Sequence, residues 1–78
     1  MGKSKSKGMR TLKCVDELYQ HQFITQAQKI ELAMLTSKAM DGNDRLWTVI
    51  AVKLAAMDTN ASPPQKSELI SQCLSTVQ

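Results

Sequence analysis

Three breaks cut most of this chain into stretches of one helix each. Thr25 followed three residues later by Gln28 is a capping-box pattern. Asp41-Gly42-Asn43 interrupts the apolar spacing with a glycine suited to a left-handed helix end, and Ser62-Pro63 joins a capping side chain to the residue favoured in a first helical turn. With Thr11 as a further cap, these signals predict four helices: LKCVDELYQHQ, residues 26–40, RLWTVIAVKLAAM and QKSELISQCLSTV. The fold class expected is all-α, four short helices in a small bundle.

The four segments distribute their apolar residues differently. In the first, Leu12, Val15, Leu18 and Tyr19 recur at helical spacing on one side. The second has two apolar stripes: Ala27, Ile30, Ala33 and Met34 on one side, Leu32, Leu35 and Ala39 on another, with Glu31 and Lys38 between them. Two stripes imply two packing partners. The third is apolar around nearly all of its circumference, interrupted mainly by Thr48 and Lys53, which predicts a central position. Leu69, Ile70, Cys73, Leu74 and Val77 give the last segment one face. The short connection at 41–44 predicts antiparallel packing of the second and third helices.

A chain of 78 residues makes one small domain and buries only about 60% of the surface it exposes when unfolded. Three thin helices cover an all-round apolar third helix poorly, and a two-fold dimer covers it with the same patch used twice. The bundle is therefore expected to be completed by homodimerisation, with Leu32, Leu35, Trp47, Ile50 and Leu54 as interface residues. Trp47, in the first turn of the third helix, reads as a core or interface anchor.

Charge is unevenly spread. Net charge is +3, yet residues 1–10 hold four basic and no acidic side chains, so the remainder sums to −1. MGKSKSKGMR lacks helical periodicity and an apolar anchor, which predicts a disordered basic tail at 1–10 before a single helical domain at 11–78. Lys3, Lys5, Lys7 and Arg10 are candidates for phosphate-backbone contact that carries no sequence information; the alternative is a solvated leader. Met-Gly with Ser6 fits the short and common myristoylation pattern. No apolar run follows the basic residues as in a signal peptide, and Leu46–Met57 is far shorter than the roughly 20 residues of a membrane span. No membrane partner is expected, and the location expected is cytoplasmic.

No constellation of reactive residues emerges. His21 is the only histidine, near a helix end between glutamines, and reads as a cap or surface residue. Cys14 and Cys73 lie inside apolar helical patterns, where reduced thiols pack as small hydrophobes, and with His21 they fall short of a structural zinc site. The carboxylates are scattered without Glu-x-x-His spacing, and no nucleotide-binding, EF-hand or zinc-finger signature occurs. The chain is expected to have no catalytic residues, no metal, no cofactor and no enzymatic activity.

The order of a capped helix from Thr25, a break at Asp41-Gly42, an apolar helix, a polar break and an amphipathic helix ending at Val77 resembles the YmgB/AriR group of small enterobacterial biofilm and acid-resistance regulators, sometimes called connector proteins. The positions that carry it are Gly42, Ile50, Leu54 and the face of Leu69, Ile70, Cys73 and Leu74. The resemblance implies an all-helical homodimer acting on signalling or transcription through protein contacts. The Lys/Ser leader and the paired Pro63 and Pro64 depart from that group. TLKCVDELYQHQF with the following ITQAQ is similar to the first helices of the Hha/YmoA modulators, which act by binding a nucleoid protein, and the similarity ends at Met40.

These readings converge on a small non-enzymatic regulatory protein that docks a helical face on a protein partner. A nucleic-acid-associated dimer using the basic tail, and a small phage or viral structural or assembly component, are the alternatives.

Overall fold

The structure, a computed structural model, describes the backbone of residues 2–78 and the side chains of residues 5–78. Its elements are α1 (Gly2–Gln20), α2 (Gln26–Met40), α3 (Arg45–Met57) and α4 (Pro64–Val77), with no strand among the described residues. α1 and α3 each neighbour α2 and α4, while the diagonal backbones stay apart, so the helices stand at the corners of a square. The chain runs up and down. Gly8 near the start of α1 abuts Met40 at the end of α2, Asp16 towards the end of α1 pairs with Lys29 at the start of α2, and Glu31 pairs with Lys53 towards the end of α3.

Each helix turns one narrow seam inward. Gly8, Thr11, Val15 and Leu18 line α1, Leu32, Thr36 and Ala39 line α2, Trp47, Ile50 and Leu54 line α3, and Leu69, Ile70, Cys73 and Val77 line α4. Spacings of three and four residues alternate along these seams, as helix pairs that cross at a shallow angle require. Thr11 and Thr36 are fully buried, and each hydroxyl donates to the carbonyl one turn back, Lys7 O and Leu32 O, at 2.8 Å. Neither threonine therefore brings an orphan polar atom into the core.

The helix ends follow from local chemistry. Thr25 caps α2: its Oγ1 accepts from Gln28 N at 3.1 Å, and Gln28 Oε1 accepts from Thr25 N at 2.8 Å. Gly42 closes α2 at φ 112°, with Gly42 N donating to Ala39 O and Asn43 N to Lys38 O. α1 ends in the same motif with a glutamine in place of glycine: Gln22 has φ 63°, and Gln22 N and Phe23 N donate to Tyr19 O and Leu18 O. At α4 the expected cap moves by one residue. Pro63 is the cap and Pro64 the first helical residue, while the Ser62 hydroxyl instead accepts from Thr59 N within the preceding loop.

Three expectations are corrected. Helix α1 begins at Gly2, so residues 5–10 are helical where a disordered tail was expected, and the boundary at 10/11 falls inside one element. The cause is long-range: Gly8 carries the inward seam two turns upstream, and Thr11 is a buried interior residue instead of a cap. Lysine is a good helix former, and serine costs only about half a kcal/mol per residue relative to alanine, which packing along such a seam offsets. Second, α3 occupies a corner and not the centre. Its outward side carries Val52, 62% exposed, with small Ala55 and Ala56, so little large apolar surface remains to be covered. Third, Leu32, Trp47, Ile50 and Leu54, expected at an interface between copies, are the bundle's own core; Leu35 alone of that set is only half-buried.

Candidate functional site

α2 is pinned from both sides. On one flank the Lys29 ammonium lies 3.5 Å from Asp16 and 4.5 Å from the centre of the Tyr19 ring, both on α1. On the other, Glu31 lies 3.2 Å from Lys53 of α3. With the seam of Leu32, Thr36 and Ala39 turned inward, the helical repeat puts Ala27, Ile30 and Met34 roughly half a turn away, facing straight out. Ile30 is 50% and Met34 56% exposed. Ala27, Ile30, Met34 and Leu35 line a shallow apolar depression edged by Gln28, Glu31 and Lys38. The two stripes read in the sequence thus have different fates, one in the core and one unpartnered.

The basic residues of the leader are held on α1. Lys5 and Arg10 are exposed, and Lys7 lies with its ammonium 4.6 Å from the centre of the Trp47 ring, covering the indole. The side chain of Lys3 lies outside the described residues. Lys38 and Arg45 project from the same end of the bundle, against Asp41 and Asp44. Among the described residues none of Lys5, Arg10, Lys38 and Arg45 has a carboxylate within 4.0 Å, and both ion pairs lie towards the opposite end, where Asp16, Glu17, Glu31, Asp58 and Glu68 are nearly balanced by Lys13, Lys29, Lys53 and Lys66. The molecule is electrically polarised along its 37 Å length.

Cys14 and Cys73 are both free, the first half-buried on α1 and the second fully buried on α4. Burial drives the Cys73 thiol far above its ordinary range, reinforced by a hydrogen bond with Cys14 and by the negative potential of Cys14 and Glu17. A thiol held protonated is neither a nucleophile nor a metal ligand. His21 is exposed and stacks on Phe23 with ring centres 5.6 Å apart. Among the described residues no three His, Cys, Asp or Glu side chains cluster as metal ligands would, and no helix is long and apolar enough to cross a membrane.

No family model matches the chain, and no curated protein or solved structure is significantly similar to it. The site is therefore read from the chain's own residues. Of the two α2 stripes legible in the sequence, the one assigned to an interface, Leu32 and Leu35, packs against the chain's own core, Leu35 only in part. An apolar stripe does not by itself distinguish a face that needs covering from one already covered by the two neighbouring helices.

Proposed function

We propose that this chain is a small non-enzymatic regulatory protein that docks on another protein chain through the outer face of α2. One observation carries the reading: Ile30 and Met34, large apolar side chains on a helix braced on both flanks, stand half in water, opposite the core. A rigid helix face with adaptable methionine is a common partner surface, because ordering it on binding costs little further entropy. The resemblance of residues 25–77 to the YmgB/AriR group implies the same class of regulator.

The test is affinity capture from host cells with the tagged wild-type chain and with an Ile30→Asp/Met34→Asp variant of unchanged helix content. Recovery of a protein by the wild type alone, whether another chain or an untagged copy of this one, is the expected result. Equal recovery by both variants overturns the reading.

A second reading rests on a different observation, the cluster of Lys5, Arg10, Lys38 and Arg45 at one end, none with a carboxylate within 4.0 Å among the described residues. That end is a surface for the phosphates of a nucleic-acid duplex, with log affinity falling by about 0.9 per decade of salt for each phosphate neutralised. Fluorescence anisotropy across a salt series decides it: a slope of that kind, lost on neutralising Lys5, Arg10, Lys38 and Arg45 together, supports this reading. Absence of binding at low salt removes it.

A further inference from the structure

We infer that the chain seated on the outer face of α2 is a second copy of this protein, packed α2 against α2 about a two-fold axis in antiparallel register. The inference rests on the reading of that face as a docking surface and names its occupant.

Two charges, Glu31 and Lys38, flank the apolar strip. They are seven residues apart, so they lie about two turns apart on the same flank of the strip. A two-fold axis perpendicular to the helix reverses the chain direction and keeps the flank. When it passes between Met34 and Leu35, Glu31 comes level with Lys38 of the partner subunit, and Lys38 with Glu31 of the partner subunit. The same axis brings Met34 against its own counterpart at the centre of the strip. Apolar residues and opposite charges thus match in one register. A parallel pairing exchanges the flanks, puts the charges of the two copies on opposite sides of the seam and pairs none of them.

Both charges have capacity for the contact. Lys38 has no carboxylate within 4.0 Å among the described residues, and the Glu31 side chain remains 53% exposed while holding Lys53 at 3.2 Å. The charge of the whole molecule favours the same arrangement. Because the bundle carries its excess positive charge at the end where α1 starts and is close to neutral at the other, antiparallel copies keep their basic ends apart, whereas parallel copies set them side by side and repel. A foreign helix is under no such constraint, whereas self-complementarity of apolar strip, flanking pair and molecular dipole is what a two-fold contact requires. One helix pair buries less than about 1,200 Å² in total, so the association is weak and the monomer is populated at low micromolar concentration.

Sedimentation equilibrium on the full chain up to roughly millimolar concentration, where a weak interface of this size is populated, tests the inference. The wild type is expected to reach a dimer, and Met34→Asp to remain monomeric with unchanged circular dichroism. Glu31→Lys and Lys38→Glu are each expected to weaken dimerisation at least about tenfold, because each sets like charges opposite one another twice. Mixed in equal amounts, these two variants present opposite charges at both contacts, and recovery of dimer in the mixture alone is the decisive expected result. A wild type monomeric throughout, a dimer indifferent to Met34→Asp, or a mixture that stays monomeric overturns the second copy as occupant. If host-cell capture still depends on Ile30 and Met34 in that event, the docking face stands and only its occupant is wrong.

Discussion

At the scale of single residues, Cys73 makes the clearest demand. Its thiol is fully buried on α4 with a raised proton affinity, whereas in the unfolded chain it titrates near its ordinary value of 9.0. The folded state therefore holds a proton that the unfolded state releases. The resulting stability is fully present below pH 9.0 and is lost as pH rises above it, at about 1.4 kcal/mol per pH unit. Urea denaturation between pH 8 and 10.5 should show a steeper fall for the wild type than for Cys73→Ala, whose absolute stability is lower because of the cavity left behind. Parallel curves would mean that the thiol is not held protonated. That Cys73 packs as a hydrophobe was legible from its apolar neighbours at helical spacing. Its contact with Cys14 was not, because nothing in a periodicity reports which turn of α1 meets which turn of α4. The cover of Lys7 over Trp47 was hidden for the same reason: it joins α1 to α3, and each residue reads alone as an ordinary exposed base and an ordinary aromatic anchor.

At the scale of elements, the ends of helices were the most legible feature where side chains close them locally. Thr25 with Gln28 and the left-handed Gly42 act at separations of a few residues, so the order of residue types determines them. The end of α1 escaped because its left-handed residue is Gln22, at φ 63°. A β-carbon there costs on the order of 1 kcal/mol, a strain that glycine avoids. Gln22→Gly should thus stabilise the bundle by about 0.5 to 1 kcal/mol despite glycine's larger unfolded-state entropy, read as a higher denaturation midpoint at unchanged slope. A lowered midpoint would show that the glutamine side chain contributes more than its backbone strain costs. The start of α1 was misread for a complementary reason. Residues 5–10 carry little apolar character of their own, and they are helical because Gly8 lets α1 approach the Met40 thioether of α2, where a β-carbon would collide. A seam built from a glycine and a threonine is invisible to a search for apolar periodicity.

The whole molecule shows what that misread boundary implies. If residues 1–10 were a tail, removing them would leave the body unchanged, as would removing their charges. In the square of helices those two operations differ. Neutralising Lys5 and Arg10 to glutamine removes exposed charge and leaves the turns of α1 in place, so helix content and melting temperature should stay as they are. Deleting residues 1–10 shortens α1 to the length between Thr11 and Gln20, strips Lys7 from the Trp47 ring and uncovers Met40. The loss is comparable to exposing one large side chain, about 2 kcal/mol. For a chain of 78 residues that corresponds to a fall of roughly 10 °C in melting temperature. Trp47 is 9% exposed in the intact chain and is the only tryptophan, so its fluorescence reports the change directly. Emission should shift to longer wavelength in the deletion and stay unshifted in the neutralised variant. A deleted chain that melts with the wild type and keeps its emission would show that α1 contributes to the bundle only from Thr11 onward. In the expected case, binding lost on deletion cannot be assigned to the charges of the leader, because the same cut also removes part of the scaffold that braces α2.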